Sequence, residues 1–304
     1  MQEDSLRKHL QSWLLAARPL TLTASATPVL IGAALAAEKG PLDWSLFALA
    51  FCGAVLIQVG ANLADEYTDH RRSGGVPKFP APHKVIQRGL LSERAVLWGA
   101  HVSFALATAM GLYIVSEVGW PILVVGIFSL LAGYLHSSGP FPLGDRALGL
   151  PTVFVFMGPV IVMSSYYVQV QQVTWSLFWA SAPIGLLVTA ILQANDLRDL
   201  DEDRRSGKRT LTTILGAKVG RLAYLLLLDG AYLSLLAVAR YGELPSPSLL
   251  AWLTFPWALS LVRRLEKAEA RPALNEVMLG AARLHLATGL LMALGIALHA
   301  TFNP

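Results

Sequence analysis

WSLFWASAPIGLLVTAILQANDLRDLDEDRRSGKRTL, residues 175–211, joins an uncharged run of membrane-spanning length to a dense set of charges. No charged side chain occurs from Trp175 to Asn195, and about 20 apolar residues suffice for a helix to cross a bilayer. Asp199 and Asp203 follow at once, four residues apart, escorted by Arg204-Arg205 and Lys208-Arg209. The arrangement recurs earlier: an apolar run over 44–64 ends in Asp65 and Asp69, followed by His70-Arg71-Arg72. Acid pairs with basic escorts at the ends of spans point to a divalent cation and an anionic, phosphate-bearing substrate.

Working outward, the composition agrees with a membrane protein. Hydrophobic residues make up 54% of the chain and charged ones only 14%, and the mean hydropathy is +0.52, which excludes an ordinary water-soluble globule. Apolar runs over roughly 19–37, 44–64, 95–115, 119–136, 149–168, 175–195, 219–239, 248–262 and 282–300 predict an all-α integral membrane bundle of nine spans. Residues 1–304 read as one domain: an amphipathic tail over 1–17 without signal-peptide layout, and conspicuous loops over 65–94, 137–148 and 196–218. With the tail placed in the cytoplasm, only Lys39 and Arg240 of the 24 Lys and Arg fall on the far side. That bias predicts a multi-pass protein of the cell's inner membrane with its N-terminus and active-site loops cytoplasmic. The basic residues sit in short loops beside spans, so the net charge of +4 implies a lipid bilayer and not nucleic acid. The single cysteine, Cys52, excludes an intrachain disulfide and a cysteine metal site.

On one helix, residues four apart share a face about 6 Å apart along the axis. Asp65/Asp69 and Asp199/Asp203 are therefore candidate catalytic carboxylates gripping Mg²⁺, which prefers oxygen ligands and keeps positions open for phosphate. The two pairs follow even-numbered spans four spans apart, a spacing that would bring them face to face across a central cavity. Arg198, Lys208 and Arg209, with Lys78, Lys84 and Arg88 from the first loop, are candidates for the remaining phosphate charge. Asn62 and Asn195 would add neutral oxygen ligands, and Asp229, in mid-span, reads as a protonated or cavity-facing structural residue. The competing reading is a solvated helix rim laced by i,i+4 pairs. Two loops with the same spacing on the same side weigh against it.

Residues 195–211 resemble the second aspartate motif of the UbiA superfamily of intramembrane aromatic prenyltransferases, Asn-x-x-Arg-Asp-x-x-x-Asp followed by Gly-Lys-Arg-Thr-Leu. Three further stretches look like its 1,4-dihydroxy-2-naphthoate branch in menaquinone biosynthesis: WLLAARPLTLTASATPVLIGAALA at 13–36, VIQRGLLS at 85–92, and GPFPLG with LGLPTVFVFMGPV within 139–160. The resemblance implies nine helices around a lipid-open cavity with a cytoplasmic cap. It implies a prenyl diphosphate held through Mg²⁺ and an aromatic acceptor attacking the allylic cation, with loss of the acceptor's carboxylate in that branch. It also implies metal contacts from Asp69, Asn195, Asp199 and Asp203, and diphosphate contacts from Arg198, Lys208 and Arg209. The first motif departs from the family pattern: Asp65-Glu66 stands where Asn-Asp is usual, leaving Glu66 as a further metal candidate. His136 stands where a tyrosine is usual and Leu150 where an acid is usual, and Tyr67 and His136 are the acceptor-side candidates. Acceptors such as 4-hydroxybenzoate or homogentisate stay open, as do a catalytically lapsed lipid-binding relative and a membrane transporter.

Overall fold

The computed structural model describes residues 2–72 and 81–302. In chain order it runs α1 (Gln2–Ala17), a 3₁₀ turn (Pro19–Leu22), α2 (Thr23–Ala37), α3 (Trp44–Arg72), α4 (Glu93–Val118), α5 (Trp120–Leu135) and α6 (Gly149–Val155). A π turn (Phe156–Val160) leads into α7 (Ile161–Val170), α8 (Trp175–Arg198), α9 (Leu200–Arg205), α10 (Leu211–Leu215) and α11 (Ala217–Arg240). A 3₁₀ stretch (Ser246–Thr254), α12 (Phe255–Lys267) and α13 (Arg271–Phe302) complete it. The described residues contain no β-strand, only an isolated bridge between Arg146 and Arg209.

Seven of these segments are long and apolar enough to cross a membrane: Pro19–Ala37, Trp44–Arg72, Glu93–Val118, Gly149–Val170, Trp175–Arg198, Ala217–Arg240 and Arg271–Phe302. The two other expected spans differ. Trp120–Leu135 has 16 residues, about 24 Å of helix against a hydrocarbon core of about 30 Å. The run expected over 248–262 is split between the 3₁₀ stretch and amphipathic α12, with Pro245 and Pro247 at its start.

α2 and α8 are the inner staves, 67% buried over their apolar windows, whereas α3 is only 17% buried. The larger core joins α2, α7, α8, α11, the 3₁₀ stretch, α12 and α13; a smaller one joins α1, α3, α4 and the 81–91 segment around Leu63, Val85 and Val96. α8 meets the π turn backbone to backbone. A Cβ added at Gly158 would lie 2.8 Å from Gly185 Cα, so only glycine allows this approach. Pro159, which lacks an N–H donor, lies in that π turn.

Two helices overrun the bilayer. α3 has 29 residues and α13 has 32, about 44 and 48 Å. Residues 65–72, expected to open a loop, are instead the last two turns of α3. The third expected loop contains two short helices, the second opened by a Thr210/Thr213 capping box.

Candidate functional site

A cavity of about 440 Å³ runs between the α3–α4–α5 side and the α6–α8 side. Leu49, Ile57, Val115, Ile127, Phe156 and Val188 line its apolar length. At its polar end stand Arg18, Asn62, Asp65, His136, Asp145, Asn195, Asp196, Asp203 and Lys208. Arg18 (φ 54°) and Ala147 (φ 59°) both line it and hold left-handed backbone conformations, a strained state for non-glycine residues that concentrates at working sites.

The first motif meets cations brought from elsewhere in the chain. Arg18, turned inward between α1 and the 3₁₀ turn, donates to Asp65 at 2.6 Å. Asn62 secures that corner: its amide donates to the Ala17 carbonyl at 2.8 Å and to Thr21 Oγ1 at 3.0 Å. Lys84 donates to Asp69 at 2.7 Å and stands 3.5 Å from Glu66. Glu66 is buried and accepts from the Ile86 N–H, so it anchors the 81–91 segment that carries Lys84. Tyr67 accepts from Arg71, whose guanidinium covers its ring, and is not among the residues lining the cavity.

The second motif behaves differently. α8 ends at Arg198, and Asp199 sits at the junction with φ −98° and ψ 7°. Its carboxylate accepts from Arg198 Nε at 2.9 Å and Nη2 at 2.5 Å, and from Arg271 Nη2 at 3.0 Å. Burial opposes its charge, but the two guanidinium groups outweigh it and hold its pKa below the usual carboxylate range. Arg198 also donates to Asn195 at 2.7 Å and Asn275 at 3.0 Å. Asp203 faces the cavity instead. Burial pushes its pKa up to about 6, with Lys208 opposing the rise and Asp199 adding to it. Asp199 and Asp203 keep the helical relation of residues four apart, the Asp203 N–H donating to the Asp199 carbonyl at 2.9 Å, but their carboxylates take different partners.

Lys208 joins the two halves. Its ammonium lies 3.5 Å from Asp203, 3.9 Å from Asp69 and 3.9 Å from Asp145. Burial works against its charge, but those carboxylates prevail and raise its pKa. Asp145 also accepts from Arg72 at 2.5 Å, and its backbone carbonyl accepts from the Arg209 N–H at 3.0 Å. The Arg209 side chain is exposed, and Arg88 is exposed and donates to the Pro82 carbonyl. Lys78 lies outside the described residues. His136 lines the cavity, with its imidazole pKa lowered chiefly by burial. Asp229 is half-buried on α11 and absent from the cavity wall.

Sequence reasoning did not single out Arg18, His83, Asp145, Asp196, Arg271 or Asn275. His83 is held neutral by burial, helped by the charges of Arg18, Lys84 and Arg198. Asp196 had a legible signal, standing seven residues, about two helical turns, before Asp203. Among the described residues no three Asp, Glu, His or Cys side chains are already gathered as a metal cage. The donor set nevertheless fits Mg²⁺: carboxylate oxygens from α3 and from the α8–α9 region approach one ammonium, a charge that a hard dication can replace.

The fold, with a charged mouth over an apolar cavity, is that of a multi-pass α-helical membrane protein. Residues 25–287 match the UbiA prenyltransferase family, and the chain belongs to it, a family of transferases. It is 32% identical over 301 residues to the "1,4-dihydroxy-2-naphthoate octaprenyltransferase" of Escherichia coli K12, covering 94% of this chain and 95% of that protein. It is 28% identical over 295 residues to the protein of the same name from Bacillus subtilis 168, covering 97% and 94%. The fold resembles a UbiA homolog from Archaeoglobus fulgidus bound to DMAPP and Mg²⁺, with a TM-score of 0.64 at 12% identity over 92% of this chain and 99% of that one.

Proposed function

We propose that this protein transfers a prenyl group from a prenyl diphosphate to 1,4-dihydroxy-2-naphthoate, with loss of the acceptor's carboxylate as CO₂, in a Mg²⁺-dependent step of menaquinone biosynthesis. The observation that carries the reading is Lys208, set between Asp69 and Asp203 at the mouth of an apolar cavity. Relatives named for this activity and a similar fold holding DMAPP and Mg²⁺ support it.

Asp69 and Asp203, with Asp65 and Asn195 beside them, would hold Mg²⁺, whose chemistry when bound is Lewis-acid polarisation of the leaving diphosphate. Lys208 and Lys84, released from their carboxylates, turn to the phosphate oxygens; the flexible stem of lysine permits that exchange. The carbon–oxygen bond of the prenyl diphosphate breaks, diphosphate leaves, and a carbon of the electron-rich ring attacks the allylic cation. Ile57, Val115 and Ile127 shelter the tail and keep water from the cation. His136 and Asp145 stand at the polar end where the acceptor would approach. In this reading Trp120–Leu135 and Ser246–Lys267 complete nine spans, and the mouth opens to the cytoplasmic side of the cell membrane.

The test is product mass spectrometry on purified protein in nanodiscs with Mg²⁺, a prenyl diphosphate and a mixture of dihydroxynaphthoate, 4-hydroxybenzoate and homogentisate. A prenylated, decarboxylated naphthoquinol that disappears with EDTA is expected. A product on another ring would keep the chemistry and replace the acceptor. Binding of prenyl diphosphate without its cleavage would mark a lapsed enzyme.

A further inference from the structure

The outward face of α13 carries a charge well inside its apolar run. Arg283 is exposed, on the same stripe as Leu290 and Leu294, and has no hydrogen bond or ion pair among the described residues. Its depth follows from a neighbouring turn: Asn275 accepts from Arg198 at 3.0 Å, which sets that turn level with the charged mouth. Arg283 comes eight residues later, about 12 Å deeper. Arginine cannot shed its charge, and a bare cation in hydrocarbon is costly. Helical side chains lean toward the N-terminus, and that end of α13 is the mouth, so the stem of Arg283 leans back toward the interface.

α12 supplies the other wall. A Cβ added at Gly280 would strike Leu261, and one at Gly295 would strike the Pro247 carbonyl, so the two chain stretches run antiparallel in one register. Arg264 and Arg283 each lie three residues past the Gly280–Leu261 contact, and Trp257 and Glu276 each four before it. In an antiparallel pair, these equal offsets turn all four side chains to the same flank. All four are exposed. Arg264 stands level with Glu276 and Arg283 level with Trp257. Exposed Lys267 follows Arg264 by one turn, while Glu266 turns to the opposite flank. The flank therefore sets three cations against one carboxylate. Arg264, on α12, leans away from the mouth and Arg283 leans toward it, so two guanidinium groups converge from levels about 9 Å apart.

We infer that this flank of α12 and α13 binds one anionic glycerophospholipid, with its phosphodiester between Arg264 and Arg283 and its acyl chains along Leu290 and Leu294. Planar guanidinium groups match phosphate oxygens, Trp257 suits the interfacial depth, and the excess of positive charge selects an anionic head. The bound lipid braces the first turns of α13, which present Arg271 to Asp199 and Asn275 to Arg198. The inference rests on the membrane fold alone and not on the proposed reaction.

Native mass spectrometry of the full chain released from detergent micelles, with phosphatidylglycerol, phosphatidylethanolamine or phosphatidylcholine added, tests it. Phosphatidylglycerol is expected to stay bound at collision energies that strip the other two. Arg283→Leu, which continues the leucine stripe, should weaken that binding about tenfold, the scale of a lost charge-assisted hydrogen bond. Arg283→Lys should restore part of it, Glu276→Gln should strengthen it, and Arg240→Gln, at the far end of α11, should leave it unchanged. In nanodiscs, phosphatidylglycerol should raise the melting temperature of the unaltered protein and not that of Arg283→Leu. Equal retention of phosphatidylcholine, or undiminished phosphatidylglycerol binding in Arg283→Leu, would overturn the inference. Phosphatidylethanolamine held as firmly as phosphatidylglycerol would overturn the anionic assignment. Conversion of a dimer to a monomer by Arg283→Leu, with lipid binding intact, would give the flank to a second copy of the chain instead. If Arg283→Leu yields no folded protein, Arg264→Gln is read the same way.

Discussion

The two acid motifs have the same spacing and opposite construction. α3 runs unbroken through Asp65 and Asp69 to Arg72, so both carboxylates stand on a continuous helix and receive cations from distant segments, Arg18 and Lys84. α8 stops at Arg198, and the second motif meets cations from its own sequence, Arg198 and Lys208, and from α13. Within the second motif the Asp203 N–H still donates to the Asp199 carbonyl, so it is the cations each carboxylate meets, and not its spacing, that set the two motifs apart. Asp69 and Asp203 are the members that approach each other, through Lys208.

The largest expected effect tests that crossing point. Asp69→Ala and Asp203→Ala should each lower kcat by about a thousandfold, the scale seen when a preorganised electrostatic group is removed, with folded protein retained in nanodiscs. Single-turnover measurement of diphosphate release checks it. Unequal losses, with one variant near full activity, would show that only one motif works on the diphosphate and would break the symmetry drawn here.

A smaller effect separates the lysines. Lys208 touches both motifs, whereas the ion pairs of Lys84 lie within the first. A charge-assisted hydrogen bond is worth about 1.5–3 kcal/mol. Lys208→Met should therefore cost about a hundredfold in kcat/KM for the prenyl diphosphate, and Lys84→Met about tenfold. Equal losses would mean that the first motif binds phosphate without help from the second.

What the sequence discloses follows the range of the forces involved. The all-α membrane class was legible because apolar runs report burial residue by residue, but the end of α3 was not, because the helix continues through the charges of 65–72. The end of α8 at Arg198 falls within three residues of the expected end of its apolar run at 195, but the hold of Arg271 on Asp199, from 72 residues away, was not legible. Arg18 meets Asp65 across 47 residues from a left-handed conformation that local propensity disfavours. α13 announces itself by hydropathy, yet its first two turns reach beyond the apolar run to deliver Arg271 and Asn275. Lys84 is placed by buried Glu66, a residue that composition alone would leave on the surface.

The smallest effect is a pH dependence that distinguishes the two carboxylates of the second motif. Asp203 has its pKa raised to about 6 by burial, with Lys208 opposing, whereas an unfolded aspartate titrates near ~3.9. Between those values the folded protein binds the extra proton, so metal-free stability falls as pH rises from ~4 to about 6 and levels off above. Asp199, held below the ordinary range by its guanidinium partners despite burial, works in the other direction. Its contribution is fully present above ~3.9 and is lost only as pH falls through its lower folded value. The window between ~4 and 6 therefore belongs to Asp203 among this pair. Melting temperatures of the metal-free protein should drop by a few degrees from pH 5 to pH 7, and Asp203→Asn should flatten that slope while Asp199→Asn should not. Saturating Mg²⁺ should also flatten it, because a dication on Asp203 supplies the counter-charge that burial denies. A slope that survives in Asp203→Asn would place the titrating group elsewhere and remove the electrostatic distinction between the two acids.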